Sequence, residues 1–129
     1  MEETKRLTKH QIIDETVEYY TTHSRATTEY GCEYRTKEGA LCAHSRCLTD
    51  EIRNQIRLGS AYGTADDVIN DFGGDDVHQE QYRGHDVKFW NDIQSLHDCK
   101  RYWVKTEIGN EITASGIEQV NNLKEIYGN

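Results

Sequence analysis

Apolar positions recur with helical period along most of this chain and alternate only in short patches. Ile12, Ile13, Thr16, Val17, Tyr19 and Tyr20 form one stripe, which predicts a helix over Lys9–Tyr20. Thr8 and Gln11 stand at capping-box spacing at its start, where the hydroxyl accepts from an early amide and the carboxamide reaches back. Residues 21–30 are rich in Thr and Ser, show no period and read as a loop. Two short strands are expected next, Cys32–Arg35 and Ala40–Ala43, around Lys37-Glu38-Gly39. Gly39 supplies the positive φ of a tight connection.

Thr49 or Asp50 caps the next expected helix, which carries Ile52, Ile56 and Leu58 and stops at Gly59. Thr64 and Asp67 open a shorter one with Val68, Ile69 and Phe72, ended by Gly73-Gly74. Residues 75–84 show neither period. The strongest stripe spans Asp86–Asp98, with Phe89, Trp90, Ile93, Leu96 and His97 on one face, and Trp90 is the expected centre of the core. Tyr102–Ile108 reads as a strand turning at Gly109-Asn110 towards Ile112. Ser115 and Glu118 have capping-box spacing before a last helix with Ile117, Val120, Leu123, Ile126 and Tyr127 on its apolar side. The expected fold class is α+β: a mainly helical single compact domain over residues 1–129, with one small antiparallel β-hairpin and a second candidate near the C-terminus. Residues 1–7 are expected to be flexible.

Composition narrows the function classes. At 129 residues the chain suits one domain with a core of its own. Hydrophobic residues make up 35% and charged residues 29%, which is lean but globular. No apolar run reaches the roughly 18 residues that cross a bilayer, and the N-terminus lacks the apolar centre of a signal peptide. A cytoplasmic protein with reduced cysteines is the expectation. The formal charge is −8, and its excess is concentrated. Residues 59–98 hold Asp66, Asp67, Asp71, Asp75, Asp76, Glu80, Asp86, Asp92 and Asp98 against Arg83 and Lys88. Such a surface repels phosphate, so direct nucleic-acid binding is not expected. It suits a protein partner with a basic surface.

The segment CEYRTKEGALCAHSRC, residues 32–47, with the later Gln94, His97 and Asp98, resembles a group of small uncharacterised bacteriophage and bacterial proteins. Their pattern runs Cys-x-Tyr, a Gly-containing turn, Cys-Ala-x-Gly, Asp-Glu, and later Leu-Gln-x-x-His-Asp. Matching positions here are Cys32, Tyr34, Gly39, Cys42, Ala43, Asp50, Glu51, Gln94, His97 and Asp98. Ser45 stands where the group has glycine, and Ile93 where it has leucine. The resemblance implies a phage or mobile-element origin and a compact helical domain with a small hairpin. It implies no activity.

Four chemistries have the right residue types. Cys32, Cys42, His44 and Cys47 are zinc-ligand types, and Cys42 and His44 would share one side of a strand. Their C-x9-C-x-H-x2-C spacing meets only half of a structural zinc pattern, so no cofactor is expected. Cys42 with His97 and Asp98 offers a thiol and an imidazole for a small Cys/His enzyme, but Cys42 has no activating neighbour in sequence. The doublets His85-Asp86 and His97-Asp98 match part of a metal-dependent phosphohydrolase pattern, and at a helix start such a doublet is equally good capping chemistry. The run DFGGDDVHQE lacks the alternating carboxylates of a calcium loop. A DNA-binding winged-helix reading of residues 97–120 fails on charge, because Asp86, Asp92 and Asp98 outnumber Lys88 on the candidate recognition helix, whereas such a shape used for protein contact survives the objection. The reading therefore leans to a non-enzymatic interaction protein that modulates or inhibits a host or phage protein. Asp66, Asp67, Asp71, Asp75, Asp76 and Glu80 form its expected contact surface.

Overall fold

The computed structural model describes residues 6–23, 27–28, 31–32, 42–55 and 65–128. Helix α1 runs Lys9–Thr21 with the expected capping box: Gln11 N–H donates to Thr8 Oγ1 at 3.1 Å, and Thr8 N–H donates to Gln11 Oε1 at 2.8 Å. Strands β1 (Thr27–Thr28) and β2 (Gly31–Cys32) pair antiparallel, Thr27 with Cys32 and Thr28 with Gly31. Cys32 is thus paired back to a segment whose sequence reads as a loop. The expected partner strand Ala40–Ala43 does not form where it is described. Cys42 caps a one-turn helix, α2 (Ala43–Arg46), and Ala43 is already helical. The rest of that expected hairpin, residues 33–41 with Tyr34 and Gly39, lies outside the described residues.

Helix α3 (Asp50–Gln55) follows, then α4 (Ala65–Phe72), which buries Val68 and Ile69. Ile56, Leu58 and Gly59 lie outside the described residues. Gly73 (φ 118°) and Gly74 (φ 84°) turn the chain out of α4 in a conformation that costs any other residue. Residues 75–84, unreadable in sequence, form two 3₁₀ turns, Gly74–Val77 and Glu80–Tyr82, with Val77 and Tyr82 buried. A short antiparallel contact ties them to the end of α2. Leu48 bridges His78, Thr49 N–H donates to Val77 O at 2.9 Å, and Gln79 N–H donates to Cys47 O at 2.9 Å.

Helix α5 (Val87–Asp98) is capped by Asp86 and carries the deepest apolar face. Phe89, Trp90, Ile93 and Leu96 are wholly buried. Strands β3 (Trp103–Lys105) and β4 (Asn110–Ile112) form the second hairpin, shorter than the alternation suggests, with Val104 opposite Glu111. Helix α6 (Ala114–Tyr127) closes the chain. Its cap is Thr113, whose hydroxyl accepts from Gly116 N–H at 3.1 Å, so Ser115 and Glu118 do not act as its capping box. The fold is α+β and mainly helical, with two antiparallel two-stranded sheets among the described residues. No described helix is long and apolar enough to cross a membrane.

Candidate functional site

The densest polar cluster of the described chain surrounds α2. This single turn is buried on every side, yet three of its four residues are polar: His44, Ser45 and Arg46. Buried polar groups must find partners, and those partners define the site. At the helix start, Cys42 Sγ accepts from Ser45 N–H at 3.4 Å and Gln94 Oε1 accepts from His44 N–H at 3.0 Å. At its end, Arg53 donates to the carbonyls of Ser45, Arg46 and Leu48 at 3.0–3.2 Å. A cation over the last carbonyls of a helix is electrostatically favourable.

The His44 side chain makes the most unusual contact. His44 and His78 meet Nε2 to Nε2 at 2.8 Å, and His78 Nδ1 lies 2.8 Å from Asp75 Oδ1. One proton arrangement satisfies both contacts with neutral rings. His78 Nδ1–H donates to the Asp75 carboxylate, which leaves its Nε2 lone pair to accept from His44 Nε2–H. Both rings pack on Trp90, His78 stacked with centroids 4.5 Å apart and His44 tilted at 5.2 Å. Burial pushes His44 well below the ordinary imidazole range, reinforced by the His78 ring. Burial also lowers His78, outweighing the pull of Asp75. Burial alone would raise the Asp75 carboxyl, but the Gly84 amide and His78 hold it below its usual value.

A second network runs from Arg46. Its Nη1 donates to Glu15 Oε1 at 2.5 Å and to Tyr82 Oη at 3.1 Å, and its Nη2 donates to Thr16 Oγ1 at 3.2 Å. Tyr82 Oη–H also donates to Glu15. The guanidinium lies over the rings of Tyr19 and Tyr82, at 5.1 and 5.6 Å from their centroids. A third network explains the Gln-x-x-His-Asp spacing. Gln94 Nε2–H and His97 Nδ1–H both donate to Asp98 Oδ1, at 2.9 and 2.7 Å, while Gln94 Oε1 holds the start of α2.

These contacts place each candidate residue. Cys42 and His97 are wholly buried, the thiol engaged as a helix cap and the imidazole against Asp98. Neither faces solvent, where a substrate would meet a nucleophile. Cys47 is also wholly buried; its thiol donates to Ala43 O, and burial pushes its pKa up to about 12. A thiol in that state is a poor metal ligand and nucleophile. Cys42 and His44 lie on a helical turn rather than a strand, and His44 faces His78 instead of a cysteine. No group of three or more His, Cys, Asp or Glu among the described residues could hold a metal ion. Asp86 and Asp98 flank opposite ends of α5, roughly 18 Å apart by helical rise. Each doublet serves its own end: Asp86 caps the helix and His85 Nε2–H donates to Leu7 O at 2.9 Å.

The six acidic positions divide. Asp71 and Glu80 are exposed, and so is Asp76, at 88% of its side chain, with Arg83 Nη1 3.9 Å away. Asp75 is also exposed, but its carboxylate is engaged by His78 and the Gly84 amide. Asp66 and Asp67 sit in the first turn of α4, and their side chains lie outside the description. Sequence reasoning did not find His78, Arg46, Tyr82 or Glu15. Gln94, with Cys42, His97 and Asp98, carried a signal through the motif singled out in the sequence. No protein family, curated protein or solved structure matches the chain.

Proposed function

We propose that the chain is a small acidic interaction protein of phage or mobile-element origin. It binds a basic surface on a host or phage protein in the cytoplasm and modulates or inhibits that protein. One observation carries the reading: Asp71, Asp76 and Glu80 are exposed along one short stretch, on a chain of formal charge −8. Clustered charge of one sign steers an oppositely charged partner and raises its association rate. The polar cluster around α2 supports the same reading from the other side. Its histidines and cysteines are buried and committed to internal contacts, as expected of a scaffold holding a surface.

The test is a double charge reversal at Asp76 and Glu80. Asp75 is a poor choice, because its carboxylate also holds His78. A partner recovered from host lysate at low salt should bind the wild type and be lost with Asp76→Lys/Glu80→Lys. Its affinity should also fall steeply between about 50 and 300 mM salt, as screening shortens the Debye length. A partner that ignores both the reversal and the salt would sink the proposal.

A further inference from the structure

A second surface feature lies between α1, β4 and α6. Val17 on α1, Ile112 on β4 and Ile117 and Val120 on α6 line a groove of about 370 Å³. Ile117 is 51% exposed. The walls are tied together at both ends. Asn110 Nδ2–H donates to Tyr20 O and His23 O at 3.0 and 2.9 Å, holding β4 on the end of α1. At the other end His10 Nε2–H donates to Lys124 O at 2.9 Å, and Lys124 Nζ donates to Asp14 at 2.5 Å. The groove is therefore a fixed product of the packing.

Among the described residues its lining charges are all negative. Asp14 and Glu18 stand one helical turn apart on α1, and no described cation lines the groove. Asp14 is partly answered by Lys124 at its edge, whereas Glu18 is exposed. This polarity decides between occupants. Nucleic acid and an anionic bilayer would bring phosphate to a carboxylate rim on a chain of charge −8. A second copy would bring the same carboxylates and the same net charge against themselves. A visiting strand would meet β4 already paired with β3 on one edge and packed near α1, and it would bring no cation to the acidic rim by itself. A helix offers apolar side chains at i, i+3 and i+4 with cations beside them, which matches an apolar floor under an acidic rim.

We propose that this groove docks a basic amphipathic helix of a partner protein, with its apolar side chains among Val17, Ile112, Ile117 and Val120 and a lysine or arginine against Glu18. The inference does not depend on the 71–80 surface, and the two are separable by experiment. The probe is a fluorescein-labelled Leu/Lys amphipathic peptide of about 18 residues, long enough to hold a helix, with a Leu/Glu twin as control. Fluorescence anisotropy with the full chain should show the Lys peptide binding and the Glu twin weaker by about tenfold or more. Ile117→Asp and Glu18→Lys should each weaken the Lys peptide by about tenfold, while Asp76→Lys/Glu80→Lys leaves it within about twofold. Both groove positions are exposed, so the variants should fold, and a urea melt checks that. Backbone amide shifts on titration should map to α1 and α6.

Failure of the Lys peptide to bind would overturn the groove proposal, as would equal binding of the Glu twin or indifference to Ile117→Asp. Shifts confined to residues 71–80 would also overturn it and assign the peptide to the other surface. A dimer seen by sedimentation and dissolved by Ile117→Asp would overturn it in favour of a second copy.

Discussion

At the scale of single residues, the buried imidazole pair should make stability fall on acidification, with His85, also lowered by burial, adding in the same direction. His44 and His78 both bind a proton less readily when folded, chiefly because burial disfavours the imidazolium. The charged and titratable groups around the pair are Asp75, which accepts from His78, His85, and Arg83, which donates to His78 O. A histidine whose folded pKa lies below its unfolded value takes up its proton on unfolding. Its contribution to stability is complete above pH of about 6.5 and is lost as pH falls below that. Each of the two groups should add a slope of up to about 1.4 kcal/mol per pH unit within its window. Asp75, held below its ordinary value, adds a further loss in the same direction as pH falls under about 4. Urea melts from pH 7 to 5 should show the decline, and His78→Gln should flatten it; an unchanged slope would rule the pair out as its source.

Arg46 gives a second residue-scale expectation. Its charge is buried and Glu15 is its carboxylate partner, 38% exposed. Deleting one member of a fully buried pair costs about 3–5 kcal/mol, and partial exposure of Glu15 screens the interaction. Tyr82 and Thr16 also remain as acceptors. Glu15→Ala should therefore cost about 2 kcal/mol in chemical denaturation. A change below about 0.5 kcal/mol would mean that the guanidinium finds water instead.

At the scale of elements, α6 depends on a glycine inside its first turns. A Cβ on Gly116 would lie 2.7 Å from Tyr102 O and 2.5 Å from Ile112 Cγ1. Alanine normally gains about 1 kcal/mol over glycine within a helix. Here the backbone carbonyl cannot move aside cheaply, so overpacking reverses the sign. Gly116→Ala should destabilise by about 1–3 kcal/mol, measured as a lower urea midpoint at unchanged m. Gly109 plays a related part, since its Cβ would meet Thr21 O at 2.5 Å. The β3–β4 turn can approach the end of α1 only without a side chain there. The helical stripes of α1, α4, α5 and α6 were all readable from periodicity, as was the cap of α1. The caps of α2 and α6 were not. Cys42 Sγ is a weak acceptor with low capping preference, and Thr113 competes in sequence with Ser115 two positions on.

At the scale of the whole molecule, the described elements close on Trp90. Its ring meets His44, His78, Tyr82, His85 and Phe89, drawing together α2, the two 3₁₀ turns and α5. Trp90 is wholly buried, and its Nε1–H has no hydrogen-bond partner among the described residues. Trp90→Ala should cost about 3–5 kcal/mol. Trp90→Phe should cost clearly less, because it leaves a smaller cavity and removes an unpaired donor. Because one ring joins these elements, thermal unfolding followed by near- and far-UV circular dichroism should be a single coincident transition. Two separated transitions would show that the elements do not share one core.

The periodic parts were legible in the chain: the helices with apolar stripes, the second hairpin, the glycine stop after α4, Trp90 as core centre and the concentration of acid in residues 59–98. These are local properties, written at spacings of three, four or two residues. What the polar residues do came from packing. It made α2 a buried turn where alternation suggested a strand, because Gln94 and Arg53 satisfy its ends from 50 and 8 residues away. It joined His44 to His78 and Arg46 to Glu15, and it engaged the Asp75 carboxylate with His78 and the Gly84 amide while leaving Asp76 almost wholly in solvent. A buried polar group is stabilised by its particular partner, and partners distant in the chain leave no period to read.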